Sequence, residues 1–400
     1  MNINPRLTTL PDFPFDKLKT LLEGITPPEE LDPIALSVGE PQQPVPHWVR
    51  DIVSDNFHTW NKYPPFPGSV DLRQAIAGWL GRRFGLGHGD IDPMVHILAC
   101  AGTREALYLL PTWLVPDQKN GKRPIVAMPN PFYHVYGTAA LASGAESLYL
   151  SATKETGYLP DLDELDAEIL SRLSILFLCS PANPQGAVAD HTYLERAINL
   201  ARKYDFTLCV DECYADVYDT TPPLSALQVC RDMDGSGTDY TNVLVFHSLS
   251  KRSNGAGLRS GFFAGDAAIM QGYGRFRSYI SASIPLPIDA ASAAVWSEDS
   301  HTDDIRAFYR NNFDIAERII DGRFDFYRPD GGFFLWLNTG NGEQAAQTLW
   351  RDAGVRVLPG AHSAREDKNG FNPGASHIRL ALVNDAPVIS EACERLVKVL

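Results

Sequence analysis

Positive charge is scarce in this 400-residue chain: 35 Lys and Arg stand against 49 Asp and Glu, a formal net charge of −14 at pH 7. Such a field repels phosphate backbones and anionic membrane surfaces, which argues against nucleic-acid or membrane partners. Long apolar runs are missing as well. Nowhere do eighteen apolar residues follow one another, and the opening "MNINPRLTTLPDFPFDKLKTLL" lacks the apolar stretch of a signal peptide, so a cytoplasmic protein is expected. The six cysteines (Cys100, Cys179, Cys209, Cys213, Cys230, Cys393) are scattered, mostly inside apolar runs, and never form C-x-x-C. They read as reduced core thiols. Also absent are H-E-x-x-H, G-x-x-x-x-G-K-[ST], G-x-S-x-G and a G-x-G-x-x-G at a strand-to-helix turn, and the ten His form no ligand cluster, so no metal site is expected.

What is present suits a soluble globular protein with a large core: 44% of residues are hydrophobic and 21% charged. Residues 1–39 are Pro-rich and acidic, with one short amphipathic piece, "FDKLKTLLEGI", and read as an arm lying across the body. Over residues 40–290 apolar runs alternate with helical patterns: "VHILAC", "PIVAMPNP", "ESLYLSA", "SILFLCSPANPQG", "FTLCVDECYADV", "NVLVFHSLSKRS" and "LRSGFFAG". Continuous apolar strands separated by helices predict a large α/β domain with a mostly parallel sheet covered on both faces. Residues 291–400 lose that alternation and predict a smaller α+β domain, in which "PDGG" joins two strand-like runs of "FDFYRPDGGFFLWLNT".

Polar residues gather at the carboxyl ends of the predicted parallel strands, where open α/β sheets bind ligands. "ACAGTRE" puts Gly102 and Thr103 at a helix start, where free N–H groups and the dipole favour a phosphate. "SPANPQG" puts Asn183 in a Pro-flanked loop, "VDECY" ends an apolar strand with Asp211 and sets Tyr214 three residues on, and "HSLSKRSNGAGLR" supplies Ser248, Ser250, Lys251 and Arg259. Singly, each is an ordinary cap, turn or ion-pair partner. Together, a phosphate cradle, a carboxylate, a phenol, an amide and a Lys exceed what capping requires. "SLSK" also fits the S-x-x-K of serine acylases, and "SDN" occurs at residues 54–56, but those enzymes carry S-x-x-K first and a K-T-G last; here the order is reversed and K-T-G is absent.

In this order and spacing, "SPANPQG", "VDECY" and "SLSKRSNGAGLRSGFFAGD" resemble the fold-type-I pyridoxal-phosphate-dependent aminotransferases over nearly the whole chain, and the last of them is most similar to the succinyldiaminopimelate aminotransferase branch of lysine biosynthesis. The resemblance implies pyridoxal 5'-phosphate as cofactor and Lys251 as the lysine that condenses with its aldehyde and then moves the substrate proton. It implies that Asp211 faces the pyridine nitrogen, that Asn183 and Tyr214 hydrogen-bond the ring oxygen, and that Tyr133 of "NPFYHVY" stacks on the ring. Ser248, Ser250 and Arg259 would join the backbone of Gly102, Thr103 and Arg104 around the phosphate, with Gly255 and Gly257 letting the chain turn so that Arg259 returns to the site. Arg379 of "HIRLALV" and the backbone of Gly39 in "SVGEP" would bind the substrate α-carboxylate. Tyr63 of "NKYPPFPG" would reach the phosphate of a second subunit, implying a homodimer. The activity implied is amino-group exchange between glutamate/2-oxoglutarate and N-succinyl-LL-2,6-diaminopimelate, with aspartate- or aromatic-type transamination and C–S β-lysis as alternatives sharing the same residues.

Overall fold

The computed structural model describes residues 4–400 apart from 88, 236–237, 281–282 and 368. Its strands, in chain order, are β1 (Ile34–Ala35), β2 (Ile97–Cys100), β3 (Ile125–Asn130), β4 (Glu146–Ser151), β5 (Leu173–Cys179), β6 (Thr207–Asp211), β7 (Val243–Ser248), β8 (Gly261–Gly265), β9 (Phe334–Asn338), β10 (Val355–Arg356), β11 (Leu358–Pro359) and β12 (His377–Ala381). Seven of them form one sheet in the order β2-β8-β7-β6-β5-β3-β4, in which only β8 runs antiparallel to its neighbours. The fold is thus α/β with a mostly parallel central sheet.

Burial on both faces explains the unbroken apolar runs. Every residue of β5 is buried, and its alternate side chains enter two different cores: Leu176 and Leu178 on one face, Ile175 and Phe177 on the other. Phe262 and Phe263 of β8 divide in the same way. The covering helices are amphipathic. In His191–Tyr204 the residues Leu194, Ala197, Ile198 and Ala201 lie on one stripe against the sheet, and Asp190 caps the start by accepting from the Tyr193 N–H.

The C-terminal lobe is a three-stranded antiparallel sheet, β11-β12-β9, packed with the helices His301–Ile320, Gly342–Ala353 and Ala386–Val399. Ile34 and Leu36 join this core, β1 pairs in parallel with β10, and the helix Pro14–Leu21 of the arm sets Leu18 against Leu358.

Two expectations fail locally. "FDFYR" is not a strand: Arg323–Asp325 form a 3₁₀ turn, and Arg328 is drawn into ion pairs with Asp219, Asp314 and Glu317, so β9 pairs with β12 instead of with a hairpin partner. Gly255 and Gly257 do not supply the turn after Lys251. The left-handed residues there are Asn254 (φ 52) and Arg259 (φ 51), whereas Gly255 keeps a negative φ and is small because a Cβ would press on Leu258 and the Leu249 carbonyl.

Candidate active site

The carboxyl ends of β2, β5, β6 and β7 meet at one edge: Cys179 is in register with Asp211, and both Cys100 and Ser248 with Gly261. A cavity of about 430 Å³ opens there. Its lining includes Gly39, Thr103, Arg104, Tyr133, Asn183, Asp211, Tyr214, Ser248, Ser250, Lys251, Arg259 and Arg379. Residues separated by hundreds of positions are therefore neighbours, as the strand-end reading requires. Gly102 lies just behind the lining, and Tyr63 is elsewhere, fully exposed.

One end of the cavity is built to hold an anion. Thr103–Leu114 is a helix whose first turn presents backbone N–H groups without intrahelical partners, and Gly102 precedes it at φ 83. A Cβ on Gly102 would collide with the Arg259 guanidinium, which rests here by donating to Ala256 O (2.9 Å) and Ala101 O (3.4 Å). Ser248 caps the short helix Leu249–Arg252, its hydroxyl accepting from the Ser250 N–H at 3.1 Å and lying 2.9 Å from the Ser250 hydroxyl. Two hydroxyls, a guanidinium and a helix start converge there, and the one first-turn carboxylate, Glu105, is engaged by the Ala101 N–H (2.9 Å) and by Arg277 (2.9 Å).

Lys251 leaves that short helix toward the cavity centre, where Nζ donates to Gly39 O at 2.5 Å and lies 5.2 Å from the Phe333 ring centroid and 5.9 Å from that of Tyr214. Gly39 has no room for a side chain against Phe334. Burial first, with Arg379 pulling the same way, lowers the Lys251 pKa to about 8 against the raising effect of Cys213, Glu40 and Asp211. The amine is consequently available as a neutral base and nucleophile near physiological pH. The serine that an S-x-x-K acylase would use is engaged elsewhere: the Ser248 hydroxyl bonds Ser250 and the Ser260 carbonyl, while Lys251 Nζ donates to Gly39 O.

Asp211 is buried at the end of β6 and fixed on both oxygens. Oδ2 accepts from the Tyr136 hydroxyl at 2.7 Å and Oδ1 from the Cys213 N–H at 3.2 Å. Tyr136 is itself fully buried and stacked on Phe177 at 4.6 Å between centroids. Burial, reinforced by Asp211, pushes its phenol well above the ordinary range, so it stays a donor.

At the opposite end, Arg379 of β12 is 8% exposed and packs 4.4 Å from the Phe334 centroid. It donates to Asn183 Oδ1 (3.2 Å) and Ser37 O (2.9 Å), while its buried Nε has no hydrogen-bond partner among the described residues. A buried guanidinium with an orphaned edge fits a planar carboxylate. Burial lowers the Arg379 pKa to about 10, partly offset by Tyr214. Beside it, Tyr133 accepts from Arg104 Nε at 2.8 Å, and His134 is held neutral, its pKa lowered to about 4 by burial and by Arg104, Arg379 and Arg365 in that order.

Comparison with known proteins decides the family. The family model "Aminotransferase class I and II" matches residues 32–396. The chain belongs to this family. It is 31% identical to an LL-diaminopimelate aminotransferase of Syntrophobacter fumaroxidans, over 98% of this chain and 97% of that one, and 29% identical to one of Nitratidesulfovibrio vulgaris over equal shares. Among solved structures it is similar to an aminotransferase of Neisseria meningitidis (35% identity, TM-score 0.93, 99% of each chain) and to the aminotransferase AspB of Helicobacter pylori (34%, TM-score 0.88, 100% and 99%). The names of the first two specify free LL-diaminopimelate, a different substrate from the N-succinyl compound expected above.

Aminotransferases of this family use pyridoxal 5'-phosphate, and the residues present fit it: an anion cradle of two hydroxyls, a guanidinium and a helix start, a fixed buried carboxylate and an amine with a lowered pKa share one cavity. Sequence reasoning missed three of the groups that hold this arrangement. Tyr136 was passed over although it lies three residues after Tyr133, where its ring meets that of Tyr133 edge-on at 5.6 Å. The buried pair Glu212–His247 (2.9 Å) ties the residue after Asp211 to the residue before Ser248. Arg252, buried next to Lys251, pairs with Asp216 (2.9 Å) and Asp299 (2.5 Å) and anchors the lysine-bearing helix from below. For Tyr136 and His247 the signal was an ionisable residue directly after apolar ones, where only a partner permits burial, whereas Arg252, between Lys251 and Ser253, gave no such signal. Among the described residues no cluster suited to a metal and no helix long and apolar enough to cross a membrane occurs, and all six thiols are free.

Proposed function

We propose that this aminotransferase exchanges an amino group between glutamate/2-oxoglutarate and a diaminopimelate-type diacid, with Lys251, Asp211 and Tyr214 as its catalytic residues. The observation that carries the reading is the placement of the Lys251 amine between the anion cradle and the Arg379 guanidinium in one cavity. Pyridoxal phosphate, when bound, supplies an aldehyde and an electron-accepting pyridine ring. Ser248, Ser250, Arg259 and the first-turn amides of Thr103 and Arg104 hold its phosphate, with Gly102 leaving space for the Arg259 guanidinium. Asp211, fixed by Tyr136, would keep the ring nitrogen protonated; Asn183 and Tyr214 would hold the ring oxygen, and the Tyr133 ring would cover the pyridine. Arg379 and the Gly39 backbone orient the substrate α-carboxylate, and Lys251 Nζ takes and returns the proton at substrate Cα.

The choice between free LL-diaminopimelate and its N-succinyl derivative rests on the names of relatives, which favour the free compound. A donor panel of both compounds, aspartate and phenylalanine with 2-oxoglutarate, read as glutamate formed, tests it. The highest kcat/KM with LL-diaminopimelate is expected; preference for the N-succinyl compound restores the other branch, and ammonia with pyruvate but no glutamate from a cysteine S-conjugate added to the panel replaces transamination by C–S lysis.

A homodimer with shared sites completes the proposal. Phe57, Trp60, Tyr63, Val70 and Tyr279 expose large apolar surface, 71%, 49%, 101%, 52% and 84% respectively, which a second copy would cover. Mixing Tyr63→Ala with Lys251→Ala protein, each inactive alone, is expected to restore a fraction of the activity; no recovery after subunit exchange refutes a shared site.

A further inference from the structure

Next to the active-site cavity lies a second one, also about 430 Å³, which no role assigned above uses. The two share three wall residues, Pro14, Phe132 and His134. Phe13 of the arm closes the same partition, its ring edge-on to His134 at 4.6 Å. His134 thus faces both spaces, and its ring is neutral, so it can accept or donate one hydrogen bond without carrying charge.

The second cavity contains a guanidinium held ready for an anion. Arg365 lines it, and its backbone is pinned from both sides by the Asn130 side chain: Arg365 N donates to Asn130 Oδ1 (3.0 Å) and Asn130 Nδ2 donates to Arg365 O (2.8 Å). Asn130 ends β3, so the arginine is tied to the central sheet although it sits in a long loop. The guanidinium packs 5.4 Å from the Phe132 centroid and makes one bond, to Ala364 O at 2.7 Å. Among the described residues it has no carboxylate at ion-pair distance. In a chain with fourteen excess negative charges, an arginine left without an acidic partner beside a cavity is a selective feature. The one acidic residue in the lining, Asp12, stands on the exposed arm, where solvent screens it.

We propose that this second cavity is the distal subsite of the active site, in which Arg365, with His134 at the threshold, binds the far carboxylate of a long α,ω-dicarboxylic substrate whose α-carboxylate is held by Arg379. The inference rests on the aminotransferase reading and sharpens its substrate class. Arg379 and Arg365 line different cavities with His134 between them, so a diacid that reaches both guanidinium groups must be longer than one that reaches Arg379 alone. Entry past His134 requires Phe13 and Pro14 to shift with the arm, which makes the arm part of the specificity device.

Binding of unreactive acids separates this idea from the reaction itself. Calorimetric titration of the holoenzyme with pimelate, succinate and hexanoate is made on the wild type, on Arg365→Gln and on Arg365→Lys. Wild-type protein is expected to bind pimelate at least about tenfold more tightly than hexanoate. Arg365→Gln loses at least tenfold for pimelate while hexanoate and succinate change less than twofold, and Arg365→Lys lies between. Hexanoate serves as the control for folding, because it reads the Arg379 end alone. Equal weakening of all three acids would assign Arg365 a purely structural role, and no pimelate preference in the wild type, or none lost in Arg365→Gln, would overturn the subsite. Neither result bears on whether glutamate is formed in the donor panel, so failure of the subsite and failure of the transaminase reading remain distinct.

Discussion

Replacing Lys251 by Met in cofactor-free protein is expected to stabilise the fold at neutral pH and to lose that effect in alkaline solution. Burial lowers the amine's pKa from 10.5 to about 8 in the folded state, and each unit is worth about 1.4 kcal/mol, so carrying the ammonium costs the folded protein about 3 kcal/mol relative to the unfolded chain. Below pH 8 both states hold the proton and the full cost applies. Between about 8 and 10.5 the unfolded chain binds more protons than the folded one, so wild-type stability climbs with pH; above 10.5 both are neutral and the cost has gone. Met keeps an unbranched apolar stem and never charges. Urea unfolding followed by tryptophan fluorescence, at half-unit intervals from pH 7 to 10.5, should therefore show the variant ahead by up to about 3 kcal/mol at pH 7, with the gap closing over the upper range. A gap independent of pH would mean that the gain is packing alone. A variant no more stable at pH 7 would refute the buried-ammonium reasoning.

Three further perturbations follow from individual contacts. Tyr136→Phe keeps the stacked ring but removes the 2.7 Å donor to Asp211; a bond to a charged group is worth about 1.5–3 kcal/mol, so the pH midpoint of the bound cofactor's visible absorbance should move and kcat fall about tenfold, an unmoved midpoint refuting the link. Gly102→Ala forces a side chain into the Arg259 guanidinium at a left-handed φ of 83; cofactor affinity measured by titration should drop about tenfold or more, and unchanged affinity would remove Arg259 from the cradle. Glu212→Gln removes the buried carboxylate that lies 2.9 Å from His247 and accepts from the Ala226 N–H, and should cost about 1–3 kcal/mol in urea unfolding, an unchanged stability refuting the contact's supporting role.

The large sheet was readable because both its faces are covered. Strands such as "SILFLC" and "FTLCVD" must be apolar throughout, and the first polar residues after them, Asp211 among them, mark the edge where the cavity opens. Chemistry at the site was readable for the same reason, since Ser248, Lys251 and Arg259 follow directly from a buried strand. The supporting shell was not. Tyr136 and His247 follow apolar residues that disguise them, Arg252 lies in a polar stretch that gives no hint of burial, and their partners Asp211, Glu212 and Asp216 come from other elements that pattern alone does not bring together. In the C-terminal lobe "FDFYR" has strand composition, yet three acidic partners contributed by distant residues hold Arg328 and override local preference.

The chain's excess of negative charge acts differently at its surface and at the site. Net charge of −14 describes a surface whose individual charges act over about a Debye length, roughly 8 Å in physiological salt. Arg379 is nearly sealed from that solvent, and it lines a cavity together with Arg104, Arg259 and Lys251. An anionic substrate outside the protein therefore meets weak, screened repulsion, whereas inside it meets cations whose attraction salt barely reduces. The acidic exterior does not hinder small diacids, and recognition is concentrated where water is fewest. This division requires that the cavity cations have few acidic partners, which is the state in which the fold holds Arg379, and at the far side of His134, Arg365.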